Sequence, residues 1–183
     1  MEKGPKISAP EIPLNEALAE LHKGEERSKI LYVDDSRSIR EMARIFMSHC
    51  IPGYEVVTAR GGFDALDQIS TGLGEEVVVI ISDVNMPEMD GIQLACALKS
   101  KDGQRAYDGT SLNNVPFIVC SGNSGNYQIP GTIDYRLMQT LKERGFVDAV
   151  MGKPFEVPTV RKTVRRAIEN VMNRNSGGYQ ISE

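Results

Sequence analysis

Residues 77–91, VVVIISDVNMPEMDG, begin with a run of β-branched residues whose apolar part ends on a single carboxylate, Asp83. Because the run is apolar on both faces, it predicts a central strand of a parallel sheet that is covered on both sides. Sheets of this kind hold ligands at the carboxyl ends of their strands. We therefore predict that Asp83 lies at a functional edge of the sheet.

Three further short apolar segments each end in polar residues. Segment 30–33 is followed by Asp34 and Asp35, segment 115–120 by Ser121 and Gly122, and segment 147–151 by Gly152, Lys153 and Pro154. With Asp83, these strand ends supply three carboxylates, one hydroxyl and one ammonium. That set of groups suits a divalent cation and a phosphoryl group, and we interpret it as one active site.

This pattern resembles the receiver domain of two-component response regulators, over residues 29–173. The resemblance depends on four motifs that follow one another in order: the acidic pair Asp34-Asp35, the DxxMPxMDG block at 83–91, the strand-end Ser121, and Lys153-Pro154. It implies a flavodoxin-like sheet with strand order 2-1-3-4-5. Each motif alone is weak, but the ordered set is specific.

The remaining sequence predicts alternating strands and helices. We expect a helix from Ser36 to Met47 with Ile39, Met42, Ala43 and Phe46 on its buried face, a strand at 54–58, and helices at 62–69, from Gly91, and at 157–172. The βαβαβ alternation predicts an α/β fold, a doubly wound five-stranded parallel sheet with helices on both faces.

The segments outside this pattern define the predicted organisation of the chain. Residues 1–28 form an N-terminal extension in which Leu14, Leu18 and Leu21 share one helical face, so this segment is either a helix that docks on its own domain or one that binds a partner. Insertions are predicted near 100–114 and 123–132, the second being either a lid over the site or surface decoration. Residues 174–183 are predicted to be a disordered tail.

Composition limits the classes of partner and the cellular location. The 183-residue chain has 21 basic and 25 acidic residues, a net charge of -4 and a pI near 5.3, which gives no overall electrostatic case for direct nucleic-acid binding. No apolar stretch approaches the ~20 residues that span a bilayer, so we expect no membrane insertion and a cytoplasmic location. Cys50, Cys96 and Cys120 lack CxxC spacing and are predicted to be reduced structural thiols.

The resemblance assigns a role to each site residue. Asp83 would accept a phosphoryl group from the phosphohistidine of a histidine kinase or histidine phosphotransfer protein. Mg²⁺ or Mn²⁺ would bind Asp35, Asp83 and the backbone carbonyl of Asn85, with Asp34 acting through water or as a supporting group. Lys153, Ser121 and Gly122 would contact the phosphoryl oxygens. The residues to which the resemblance assigns a role are Asp34, Asp35, Asp83, Asn85, Ser121, Gly122 and Lys153.

Other functions stay open at this point. A separate downstream protein, or a homodimer through the last two helices of the receiver, would form the output, and Val150 stands where receivers commonly have an aromatic switch residue. A degenerate receiver that acts as a phosphorylation-independent scaffold is the first alternative. A Mg²⁺-dependent phosphatase is the second, although its acid/base Asp would fall at Asn85. No separate catalytic module is expected, only self-phosphorylation from a donor and autodephosphorylation.

Overall fold

A computed structural model of the chain describes residues 13–24, 26–100, 112–122 and 133–175. Five strands form one parallel sheet in the order β2-β1-β3-β4-β5. The strands are β1 (Lys29–Val33), β2 (Glu55–Ala59), β3 (Val77–Asp83), β4 (Phe117–Ser121) and β5 (Ala149–Gly152). The predicted fold class and strand order are confirmed.

Six α-helices and two short 3₁₀ turns surround the sheet in the described residues. The helices are α1 (Leu14–Leu21), α2 (Arg37–Cys50), α3 (Gly62–Ser70), α4 (Gly91–Lys99), α5 (Ile133–Glu143) and α6 (Val157–Asn175), and the 3₁₀ turns are Leu73–Glu75 and Leu112–Asn114. Within these ranges, none of the helices combines the length and the apolar character that crossing a membrane would require.

The central position of β3 follows from its composition. All seven of its residues are buried, and β1 and β4 pair with it on either side. One apolar cluster joins the sheet to α1, α2 and α6, and a second joins it to α3, α4 and α5. Helices therefore cover both faces, which is why this strand is apolar throughout rather than alternating.

The buried face of α2 differs from its prediction. Met42 is 56% exposed, whereas Ala43, Met47 and Cys50 are buried and Ile39 and Phe46 are partly buried. The helix also continues past Met47 to Cys50, which places Cys50 in the core. Residues 43, 47 and 50 are spaced by four and three positions, which places their side chains on one face of the helix. Met42 precedes Ala43 by one residue and is therefore rotated about 100° away from that position.

The N-terminal helix α1 packs on its own domain. Leu18 is fully buried and Leu14 nearly so, in the same cluster as Val164 and Ile168 of α6. The side chain of His22, just after α1, is hydrogen bonded through Nε2 to the carbonyl of Val78, 3.0 Å away. These contacts favour the interpretation in which the helix docks on its own domain.

A buried ionic network lies at the amino-terminal ends of β4 and β5. Asp148 Oδ2 accepts hydrogen bonds from Lys99 Nζ at 2.8 Å and from the Phe117 amide at 2.7 Å, and its Oδ1 accepts one from Arg174. Burial lowers the pKa of Lys99, against the attraction of Asp148. The network ties α4, β4 and α6 together.

The contact between Arg174 and Asp148 corrects the start of the predicted tail. Helix α6 extends to Asn175, so residues 174 and 175 belong to the folded domain. Residues 176–183 lie outside the described residues, as do insertion residues 101–111 and 123–132. In the first insertion, Leu112 is buried in the core below α4.

Candidate functional site

The carboxyl ends of β1, β3 and β5 bring an ammonium group and two carboxylates together. Lys153 Nζ donates to Asp34 Oδ2 at 2.7 Å and to Asp83 Oδ1 at 2.6 Å. The two carboxyl groups come from adjacent strands, and Lys153 directly follows β5. The predicted convergence of these three residues at one edge of the sheet is observed.

The site is partly shielded from water. Asp34 is 1% exposed and Asp83 is 8% exposed, whereas Asp35 lies on the surface. Burial raises the pKa of Asp83 above its usual value, although the hydrogen bond from Lys153 opposes this shift. Burial lowers the pKa of Lys153, but its hydrogen bonds to Asp34 and Asp83 outweigh this effect and leave the pKa raised. The ammonium therefore neutralises part of a strongly acidic cluster.

Backbone donors orient the two buried carboxylates. Asp34 Oδ1 accepts from the Ser36 amide at 2.9 Å, and Asp83 Oδ2 accepts from the Asn85 amide at 3.1 Å. Each carboxylate therefore has one oxygen held by its own loop and the other held by Lys153. This arrangement leaves little rotational freedom to either side chain.

Two supporting residues were not predicted from the sequence. Arg40 Nη1 donates to the backbone carbonyls of Asp34 at 2.7 Å and Asp35 at 2.8 Å, which fixes the loop that presents the acidic pair. Tyr32 is fully buried, and its hydroxyl donates to Asp34 Oδ2 at 3.3 Å. In the sequence, only their positions could have indicated these roles. Arg40 lies on the first turn of α2, and Tyr32 lies two residues before the acidic pair.

The loop after Asp83 depends on Gly91. A Cβ atom at this position would lie 2.1 Å from the carbonyl oxygen of Asp83 and 2.9 Å from Ser82 Oγ. The Gly91 amide donates to the carbonyl of Val84 at 3.0 Å, and the next helix begins with a capping box between Asp90 and Gln93. Glycine is therefore required here by a close backbone approach.

Ser121 and Gly122 lie at the end of β4, between β3 and β5. Ser121 is 1% exposed, and its carbonyl accepts a hydrogen bond from the Lys153 amide at 3.0 Å. A Cβ atom at Gly122 would have no neighbour within 4 Å in the described parts of the chain. The end of β4 thus positions the backbone of Lys153, whose side chain carries the ammonium group.

The donor chemistry of this edge fits a hard divalent cation. Three carboxylates and the carbonyl of Asn85 are oxygen donors, and one ammonium balances only one of the three negative charges. Over the ranges that the structure describes, no group of three or more His, Cys, Asp or Glu side chains is gathered as a ligand set. Asp34 and Asp83 instead share Lys153, and Asp35 is exposed.

Fold and site together define a receiver-type signalling domain, a five-stranded α/β sheet with a lysine-bridged acidic cluster at its carboxyl edge. Residues 30–165 match the family model of the response regulator receiver domain, and the chain belongs to this family. Its members act in two-component signalling. The resemblance inferred from the four motifs is thus confirmed.

Individual relatives agree with this assignment. The chain is 40% identical over 72 residues to the response regulator MprA of Mycobacterium sp. (strain KMS), an alignment that covers 39% of this chain and 29% of that protein. It is 30% identical over 97 residues to Protein PilG of Pseudomonas aeruginosa, covering 53% of this chain and 62% of PilG. The chain thus spans less than two thirds of these curated relatives.

The structure is similar to that of the chemotaxis protein CheY4 of Vibrio cholerae. The TM-score is 0.56 with 30% sequence identity, covering 77% of this chain and 98% of CheY4. The likeness extends over nearly the whole of that smaller protein, so the shared part is the receiver fold itself.

Proposed function

We propose that this chain is the phosphoacceptor of a two-component phosphorelay, with Asp83 as the residue that takes the phosphoryl group. The observation that carries the proposal is the bridge from Lys153 Nζ to Asp83 Oδ1 and Asp34 Oδ2, at 2.6 and 2.7 Å. It places a cation beside a buried carboxylate at the edge of the sheet where ligands of such folds bind.

In the proposed reaction a carboxylate oxygen of Asp83 attacks the phosphorus of a phosphohistidine. The phosphorus–nitrogen bond breaks, and the imidazole leaves with the bonding electrons and takes up a proton. Lys153 compensates the negative charge on the transferred group, and the Ser121 hydroxyl and the Gly122 amide donate to its oxygens. The product is an aspartyl phosphate on Asp83.

We propose Asp35, Asp83 and the Asn85 carbonyl as the groups that would hold Mg²⁺ or Mn²⁺, with Asp34 in support. The bound cation would supply charge neutralisation between the carboxylates and the phosphoryl oxygens. Lys153 would then move its hydrogen bonds from the carboxylates to the incoming phosphoryl group. The shared ammonium in this structure supports that exchange, because it already lies within 2.6 Å of the proposed nucleophile.

Intact-mass measurement after incubation with Mg²⁺ and acetyl phosphate tests the phosphoacceptor role. We expect the parent chain and Asp67→Asn to gain one phosphoryl group and Asp83→Asn to gain none. Asp67 is a suitable control because it is exposed on α3. An equal gain in Asp83→Asn would overturn the assignment of Asp83, and no gain in any chain would favour a phosphorylation-independent scaffold.

We propose that the phosphohistidine donor, a histidine kinase or phosphotransfer protein, docks against α2. This helix begins two residues after the acidic pair, and Met42 and Ile45 are 56% and 66% exposed. Ile45→Glu is expected to slow transfer from a phosphohistidine protein without changing transfer from acetyl phosphate. If both rates fall together, the substitution has damaged the site rather than the docking surface.

We also propose where this chain signals and which surface transmits the signal. Signalling would proceed in the cytoplasm, through a separate downstream protein or a homodimer formed by α5 and α6. A groove of about 370 Å³ between these helices is lined by Tyr135, Val150 and Lys162 and supports this choice of surface. Sedimentation of the phosphorylated chain at a monomer's rate would count against the dimer.

A further inference from the structure

A cavity of about 500 Å³ opens between α5 and α6, at the end of β5 opposite Lys153. Its wall includes Val147, which precedes β5, whereas Lys153 follows that strand. The cavity is therefore separated from the acidic site by the length of the strand. Its volume is in the range of cavities that enclose small-molecule ligands, roughly 300 to 1,000 Å³.

The charges around this cavity are strongly unbalanced. Lys142, Arg144, Arg166 and Arg174 line it, and Glu143 is the single carboxylate among the described residues of its wall. Arg174 forms an ion pair with Asp148, whose carboxylate it shares with Lys99. In the part of the chain that the structure describes, the other three cations form no ion pair.

The repulsion between these cations is visible at Lys142. Burial lowers the pKa of its ammonium group, and the nearby guanidinium of Arg166 lowers it further. Two like charges that lie close together raise the free energy of the folded chain. An anion placed between them would remove that repulsion.

The other lining groups indicate the kind of anion. Gln139, Asn170 and Asn173 add amide groups to the wall, and the described lining contains no aromatic side chain on which a base could stack. Guanidinium groups bind phosphate oxygens through paired hydrogen bonds. A compact, multiply charged group therefore suits the cavity better than a ring system.

We propose that this cavity is a binding site for a small anion that contains two or more linked phosphate groups. The anion would contact Lys142 and Arg144 at the end of α5 and Arg166 on α6. It would thereby join the two helices that flank β5. The proposal is independent of phosphorylation at Asp83.

Isothermal titration calorimetry of the full chain with pyrophosphate, in EDTA, tests the proposal. Arg166→Gln and Lys142→Gln are each expected to weaken binding about tenfold, the loss that corresponds to one charge-assisted hydrogen bond. Lys23→Gln is the matched control, because Lys23 is exposed after α1 and lines neither this cavity nor the neighbouring groove. It should change the affinity less than about twofold. Raising the salt concentration should weaken binding to the parent chain.

Several outcomes would overturn the proposal. One is the absence of binding at millimolar pyrophosphate. Another is binding that Arg166→Gln and Lys142→Gln leave unchanged but that Asp83→Asn removes, which would place the anion at the acidic edge. Tighter binding of a glutamate-rich peptide than of pyrophosphate would assign the cavity to a protein partner instead. Circular dichroism of each variant shows whether a lost affinity reflects a lost fold.

Discussion

Lys153 and Asp83 are 70 positions apart in the chain, yet the Nζ atom of one lies 2.6 Å from Oδ1 of the other. The same ammonium reaches Asp34, 119 positions away, at 2.7 Å. Parallel pairing alone brings these residues together, because β1, β3, β4 and β5 all end at one edge. The chemistry of the domain therefore depends on the crossover connections as much as on the residues themselves.

Replacing Lys153 by Met should destabilise the fold and stop phosphoryl transfer. Without the ammonium, Asp34 and Asp83 would be left as two largely buried carboxylates with no cation between them. We expect a loss of about 2–4 kcal/mol in the free energy of unfolding at pH 7, measured by urea denaturation in EDTA. Intact mass should show no phosphoryl gain.

Lys162→Met is the control for this change, since Lys162 is exposed on α6 and should alter stability by no more than about 0.5 kcal/mol. The pKa of Lys153 is raised by its two carboxylate partners despite burial. Its stabilisation is therefore full below the ordinary lysine pKa of about 10.4 and is lost as pH rises through the folded value. Equal stability of Lys153→Met and the parent at pH 7 would contradict the bridging role.

Asp83→Asn should raise the melting temperature at pH 7 by a few degrees. Burial raises the pKa of Asp83, so the folded state favours the neutral carboxyl more than the unfolded state does. The ionised form therefore costs stability at pH values above the folded pKa, and asparagine avoids this cost at every pH. Differential scanning fluorimetry from pH 3 to pH 8, in EDTA, measures the effect.

The increase in melting temperature should vanish below about pH 3.9, where the Asp83 carboxyl of the parent chain is protonated in both the folded and the unfolded state. Asp67→Asn, at an exposed position, is the control and should change the free energy of unfolding by no more than about 0.5 kcal/mol. A lower melting temperature for Asp83→Asn at pH 7 would mean that the hydrogen bond from Lys153 outweighs burial.

Gly91→Ala should disrupt the loop that holds Asp83. The added methyl group would lie 2.1 Å from the Asp83 carbonyl oxygen, so the backbone of the proposed nucleophile would have to move. We expect a loss of about 2–3 kcal/mol in unfolding free energy and a slower phosphoryl gain. Gly61→Ala is the control, because its backbone is extended and no atom lies within 4 Å of the added Cβ. Wild-type behaviour of Gly91→Ala would show that the loop can relax.

Leu18→Ala should destabilise the whole domain. Leu18 in α1 is fully buried in the cluster that includes Ile30 and Val164. Removing its side chain should cost about 2–5 kcal/mol, measured by urea denaturation of the full chain. Glu16→Ala, at an exposed position of the same helix, should cost no more than about 0.5 kcal/mol. If the two variants are equally stable, α1 does not contribute to the fold.

Much of the site could be predicted because each of its residues follows an apolar strand. The run before Asp83 and the segment before Asp34 identified two strands, and the carboxyl edge of a parallel sheet is common to all its strands. The sequence could not predict which of the three carboxylates would be buried and paired with Lys153. Asp34 and Asp83 are buried and bridged by Lys153, whereas Asp35 is exposed, and adjacent positions in sequence carry no sign of this difference.

The predictions that failed depended on contacts between distant segments. Helical spacing indicated a buried side for α2 but not which edge of the stripe faces the sheet, so Met42 was placed inside while it is 56% exposed. Residues 174 and 175 were predicted to be part of the tail, whereas they form the end of α6. Arg174 donates a hydrogen bond to Asp148, and Asp148 in turn accepts one from Phe117 of β4. These contacts exist only once the sheet has formed.

The sequence by itself determined the fold class, the strand order through its family motifs, and the residue types gathered at the carboxyl edge. These follow from local patterns, since apolar runs form buried strands and the polar residues after them end at one edge. The tertiary structure decided which carboxylates share Lys153, that α1 belongs to the core, and that Lys142, Arg144 and Arg166 line one cavity between α5 and α6. Those features depend on the distances between side chains that are remote in sequence, and only packing sets such distances.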